Sequence, residues 1–135
     1  ACNLDCVYCF QRSLATPQQP QASGCMTAEQ VDRIVLGTIP SILPHPDEKL
    51  TITLFGGEPL LEPNRPAIER LMRHARKLGY GVSAITNATR AERFVEYFGS
   101  EPGDISSVQI TLDSGRSWHD RTRISVSGAP LAPTR

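Results

Sequence analysis

No apolar run in this chain approaches the ~20 residues a membrane-spanning helix needs, and no signal-peptide pattern precedes Cys2. An excess of charge of one sign is missing as well. With 14 basic residues against 14 acidic ones, the composition offers no electrostatic footprint for nucleic acid or an anionic membrane. Internal repeats and low-complexity blocks are absent, and so is a second cysteine pair. Three of the 4 cysteines crowd together as Cys2, Cys6 and Cys9 while Cys25 stands apart. Such crowding pairs poorly as disulfides and favours metal binding in a reducing compartment. The expectation is a cytoplasmic protein with no membrane and no nucleic-acid partner. At 135 residues and 39% hydrophobic content, the chain is long enough for one core and too short for two ordinary domains.

What is present begins with the C-x3-C-x2-C run from Cys2 to Cys9, flanked by Tyr8 and Phe10. Thiolates are soft ligands that select iron-sulfur clusters, zinc or copper(I). A loop carrying three of them can hold three corners of a cubane cluster and leave the fourth iron open to a small molecule.

Behind this run, Gln11 to Ser23 has no periodicity and reads as a loop. Thr27 and Gln30 form a capping-box pattern, and Val31, Ile34, Val35 and Ile39 follow at helical spacing. These predict a helix from about Ala28 to Thr38, stopping near Pro40. Pro44, Pro46 and Asp47 make a return turn. Leu50 to Phe55 reads as a strand. Pro66 opens a second helix, whose apolar stripe of Ile68, Leu71, Met72, Ala75 and Leu78 is closed by Gly79. A strand from Tyr80 to Thr86 follows, then a short helix with Phe94, Val95 and Phe98 on one face, then a strand from Ser107 to Leu112. Alternation of strand and helix predicts an α/β fold of parallel strands with right-handed crossovers. Each strand has an apolar side and a partly polar one: Val108, Ile110 and Leu112 oppose Gln109, Thr111 and Asp113. The polar side either lines a cavity or faces solvent.

In parallel α/β folds ligands bind at the carboxyl ends of the strands. Gly56-Gly57-Glu58-Pro59 ends the first strand: the glycines let backbone approach a ligand, Glu58 is an anionic acceptor for an ammonium group, and Pro59 fixes the chain's exit. Taken alone it is an ordinary turn. Thr86-Asn87-Ala88 ends the next strand, where Thr or Asn also suits a helix cap. Thr111 and Asp113 end the last strand, with His119-Asp120 and Arg123 beyond them. His119-Asp120 reads as a solvated turn or cap. Cys25 reads as a free, small hydrophobe.

These motifs, in this order, resemble the radical S-adenosylmethionine superfamily. The Ala-Cys-Asn-Leu-x-Cys-x-Tyr-Cys-Phe opening and the His-Asp-x-x-Arg segment look most like its peptide- and protein-modifying branch, the SPASM-type relatives of anaerobic sulfatase maturases. The resemblance implies a 4Fe-4S cluster on Cys2, Cys6 and Cys9, with S-adenosyl-L-methionine on its open iron. It implies cofactor contacts from Tyr8 against the adenine, Gly56 to Pro59 at the amino group, Asn87 beside the nucleoside, and Thr111 and Arg123 on the methionine carboxylate. Reductive cleavage to a 5′-deoxyadenosyl radical is then the implied activity, with a peptide or protein substrate and an electron donor such as flavodoxin or ferredoxin. Residues 1–123 are expected to form part of a radical SAM partial TIM-type barrel, and 124–135 an irregular tail. Ala88 stands where the family usually has glycine. The chain begins inside the cluster loop and holds only some of the strands, so it is expected to be a fragment or a truncated gene, active or inactive.

Two other readings stay open. A small zinc module would use Cys2, Cys6, Cys9 and Cys25, although four-cysteine zinc sites normally pair two short knuckles. A catalytically inactive remnant would bind a partner through its uncovered sheet edge.

Overall fold

The computed structural model describes residues 1–11, 24–43 and 50–127. The expected loop from Gln11 to Ser23 and the turn at Pro44 to Asp47 fall, apart from Gln11, outside the described residues. Helix α1 (Ala28–Asp32) opens with the anticipated capping box. The Gln30 amide donates to Thr27 Oγ1 at 3.2 Å, and the Thr27 amide donates to Gln30 Oε1 at 2.8 Å.

The helix does not stop at Pro40. A π-helical segment, Arg33–Thr38, leads into α2 (Ile39–Ile42). Within it the Ile39 amide reaches back five residues to the Ile34 carbonyl. Pro40 has no N–H and its ring collides with an α-helical carbonyl four residues back. The wider turn, together with a first-turn position for Pro40 in α2, lets the chain stay helical.

Strands β1 (Thr51–Leu54), β2 (Gly81–Thr86) and β3 (Ile105–Ile110) form one parallel sheet in the order β1-β2-β3. The crossover from β1 to β2 is α3 (Arg65–Leu78), which ends where Gly79 turns left-handed at φ 71°. Ile68, Leu71, Met72 and Ala75 of α3 are buried with Val82 and Ala84 of β2, and α1 adds Val31, forming the core. Asp32 ties the two helices together. It accepts from Arg70 Nε at 2.6 Å and Nη2 at 2.8 Å, with His74 Nε2 2.6 Å from Oδ1.

Between β2 and β3 the expected short helix is two 3-10 turns, Ala91–Arg93 and Val95–Tyr97. Phe94 is fully buried, whereas Val95 is 62% exposed and so does not share its face. Arg65 explains the irregularity: it packs over the Phe94 and Tyr97 rings and bonds to Glu62, Glu96 and the Arg93 carbonyl, pinning the turns from α3. Strand β3 lies two residues earlier than expected, and its ladder with β2 carries a register irregularity, with Val82 opposite Ile105 and Ser83 opposite Ser107.

Helix α4 (Arg116–Thr122) was not anticipated; its sequence carries no apolar stripe. His119 and Asp120 lie within it rather than in a turn.

The two-sided character of the strands holds. Ile52, Val82 and Ala84 turn toward α3, while Thr53, Ser83 and Ser107 meet in register on the opposite face. There Thr53 Oγ1 and Ser83 Oγ lie 2.8 Å apart. The apolar side of β3 differs from expectation: Val108, Ile110 and Leu112 remain 38%, 48% and 77% exposed, with no described helix over them.

Candidate active site

The cysteine loop crosses the carboxyl ends of all three strands. It is held there by backbone bonds to the segment leaving α4: Asp5 N to Ile124 O at 2.6 Å, Val7 N to Thr122 O at 3.0 Å, and Val126 N to Asn3 O at 3.1 Å. An antiparallel bridge pairs Leu4 with Ser125. The first residues of the expected irregular tail therefore strap the loop; residues 128–135 lie outside the described residues.

On the other side, the Glu58 amide donates to the Ala1 carbonyl at 3.0 Å. Gly57 lies so close that a Cβ built on it would sit 2.2 Å from that carbonyl oxygen, and both Gly56 and Gly57 have left-handed backbones, φ 93° and 57°. The turn thus needs both glycines.

Between these elements lies a cavity of about 220 Å³. Cys2, Cys6 and Cys9 line it, together with Tyr8, Gly56, Gly57, Asn87, Thr111 and Arg123. Residues from five sequence regions converge here. Cys25 lines a neighbouring apolar cavity instead, as does Pro59. Among the described residues no three His, Cys, Asp or Glu side chains are close enough to hold a single metal ion. The zinc arrangement on all four cysteines is thus not formed. A cubane cluster, which spreads its thiolates wider than one ion does, suits three thiols on the wall of one cavity.

Arg123 is the second indicator. It is only 6% exposed, its Nη1 donates to the Thr111 carbonyl at 2.9 Å, and its Nε has no hydrogen-bond partner. A buried guanidinium with an unused N–H is costly unless an anion completes it. It faces the thiols electrostatically as well: burial pushes the Cys6 thiol up in pKa, and the Arg123 charge works in the opposite direction.

Glu58 is placed differently from the sequence expectation. It does not line the cavity, is 1% exposed, and has both carboxylate oxygens engaged. Oε1 accepts from the Leu60 amide at 2.9 Å and the Thr86 hydroxyl at 2.6 Å, and Oε2 accepts from the Asn87 amide at 2.7 Å. An ammonium group in the cavity would not find this carboxylate free.

Tyr8 donates to Asp113, which also accepts from the Thr122 hydroxyl at 2.5 Å. Burial, and then the bond to Asp113, push the Tyr8 phenol up to about 12. The Thr122 bond foremost holds the Asp113 carboxyl below its ordinary range. Asn87 Nδ2 reaches Asn3 Oδ1 at 3.0 Å, joining the end of β2 to the cysteine loop. Ala88, just past the end of β2, adopts a left-handed φ of 59°.

Sequence reasoning missed Asp113 as a hub, and missed Phe10, Gln11 and Phe55, which also line the cavity. Phe10 and Phe55 stack with centroids 6.1 Å apart. The signal for Phe55 was available: it continues the alternation of Thr51 and Thr53.

The class that the fold and site define is a parallel α/β sheet with a three-cysteine loop over its strand ends. This chain belongs to the Radical SAM superfamily, whose model matches residues 1–125. A cysteine-type anaerobic sulfatase-maturating enzyme of Clostridium perfringens (strain 13 / Type A) is 29% identical over 132 residues, covering 94% of this chain and 34% of its own length. The radical SAM cyclopropyl synthase TigE of Paramaledivibacter caminithermalis is 32% identical over 95 residues, 64% of this chain and 20% of that protein. A solved structure described as native anSMEcpe with bound AdoMet superimposes with a TM-score of 0.66 at 23% identity, covering 97% of this chain and 34% of that one. The three parallel strands and their helices thus match part of a radical SAM partial barrel. The chain spans about a third or less of the length of these relatives. Among the described residues no helix is long and apolar enough to cross a membrane.

Proposed function

We propose that this chain is the cofactor-binding core of a radical S-adenosylmethionine enzyme acting on a peptide or protein. Cys2, Cys6 and Cys9 would hold a 4Fe-4S cluster, and the adjoining cavity would take S-adenosyl-L-methionine. When bound, the cluster supplies the electron for reductive cleavage of the sulfonium, giving the radical that attacks substrate. The chain's own residues bind and orient. Arg123, with its unused Nε, neutralises the methionine carboxylate beside Thr111. The Gly56-Gly57 turn, closed by Pro59, brings backbone within reach of the amino group. Tyr8 and Asn87 flank the nucleoside. Residues 1–123 form the core, and the strand-like segment after it keeps the cysteine loop seated.

The observation that carries this reading is the convergence of three thiols and a buried, partly unpaired arginine on one cavity at the strand ends. The peptide or protein substrate rests on the opening and His-Asp-x-x-Arg motifs and on the sulfatase-maturating relative. A flavodoxin or ferredoxin is the proposed electron donor.

Anaerobic reconstitution with iron and sulfide tests the reading. It should give a brown protein, bleached by dithionite, whose reduced-cluster spectrum changes when S-adenosylmethionine is added. A colourless protein that retains zinc instead would overturn it.

A further inference from the structure

The ladder between β1 and β2 stops at Leu54 and Ala84. Beyond it, the Gly56-Gly57 turn and the end of β2 have no backbone pairing to fix their spacing. The Glu58 side chain spans that gap. Its carboxylate takes the Leu60 amide on its own side and the Thr86 hydroxyl and Asn87 amide on the other, at 2.9, 2.6 and 2.7 Å. Burying a carboxylate this completely is unfavourable unless its oxygens are satisfied, and three donors satisfy them. Only an acceptor-only group fits: a carboxamide would present its N–H2 to a facing donor. Two further bonds extend the brace to the cysteine loop, from the Glu58 amide to Ala1 O and from Asn87 Nδ2 to Asn3 Oδ1.

We propose that Glu58 is a positioning residue whose buried carboxylate locks the Gly56-Gly57 turn to the end of β2, setting the spacing of the cavity wall that receives the methionine end of S-adenosylmethionine. This rests on the reading of the cavity given above. It differs from a direct role: Glu58 acts through Thr86 and Asn87 and does not touch the ligand.

The test uses the full chain with Glu58→Gln, Thr86→Val and the double variant. Amide hydrogen exchange without cofactor comes first. Glu58→Gln should speed exchange about tenfold within residues 56–60 and 86–88 and leave the core helices unchanged. Unchanged exchange there, or equal acceleration everywhere, overturns the brace. Equilibrium dialysis of the cluster-loaded protein with S-adenosylmethionine comes second. Each single variant should bind about tenfold more weakly and the double variant clearly less than about a hundredfold, because both break the Thr86–Glu58 bond although each also disturbs a contact of its own. Losses that multiply in the double variant overturn the proposal. So does a Glu58→Gln loss that disappears with the analogue lacking the α-amino group, since that would mean direct contact with the ammonium. If Glu58→Gln does not fold, Thr86→Val alone decides by the same exchange and binding measurements. Wild-type protein that binds no S-adenosylmethionine would sink the functional reading, while the exchange result would still decide the brace.

Discussion

The Tyr8 hydroxyl lies 2.8 and 2.9 Å from the two carboxylate oxygens of Asp113, a residue 105 positions away in sequence. That contact, with the Thr122 hydroxyl on the same carboxylate, joins the cysteine loop to the end of β3 and to α4. Removing the carboxylate with Asp113→Ala frees two hydroxyls at once, whereas Tyr8→Phe removes one bond. The first should cost about 2 kcal/mol and the second about 1 kcal/mol, read by denaturant unfolding. Because the bonds share an acceptor, the double variant should lose no more than Asp113→Ala alone.

Single changes of Cys2, Cys6 or Cys9 to Ala should each abolish stable cluster incorporation, since two thiolates would remain. Cys25→Ala should leave iron content unchanged, because Cys25 lines a different cavity. Iron and sulfide per chain after reconstitution check both outcomes. Equal iron loss in the Cys25 variant would refute the three-ligand assignment.

Gly57→Ala brings a methyl group to 2.2 Å from the Ala1 carbonyl oxygen, at a backbone with φ 57°. Ala1 must move, and Cys2 moves with it. The variant should therefore lose cluster as well as S-adenosylmethionine binding. A full iron complement with normal binding would show that the turn does not seat the loop.

Ala88→Gly should stabilise the protein. A left-handed conformation costs a residue with a Cβ about 1–2 kcal/mol, and glycine's extra unfolded-state freedom offsets about 0.5–1 kcal/mol of the relief. A net gain of about 0.5–1 kcal/mol is expected in denaturant melts, and a loss would show that Ala88 is not held at φ 59°.

Asp32 gives the acid limb of stability a specific origin. Arg70, and then His74, hold its carboxyl well below the ordinary carboxylate range. A group whose folded pKa is depressed contributes fully above its unfolded value of about 3.9, and loses that contribution as pH falls through the lower folded value. Wild type should therefore exceed Asp32→Asn in stability above about pH 4, and the two curves should converge at lower pH. A gap that widens on acidification would contradict the Arg70 and His74 contacts.

Whatever rests on local spacing was legible in the order of the residues. The C-x3-C-x2-C run, the capping box at Thr27 and Gln30, the apolar stripe of α3 and the polar face of the strands depend on neighbours a few positions apart, so they are legible without coordinates. The rest depends on contacts made across the fold. Glu58 turns inward because Thr86 and Asn87 arrive beside it from another strand. Helix α4, with no apolar stripe, is bound in through Thr122 and Arg123, and Pro40 stays helical only through a π turn. Arg123, already singled out by its motif, reaches the wall of the thiol-lined cavity because the segment after α4 pairs with the cysteine loop. In each case the deciding partner is either distant in sequence or a backbone geometry that no residue pattern encodes, and such contacts form only when the whole sheet does.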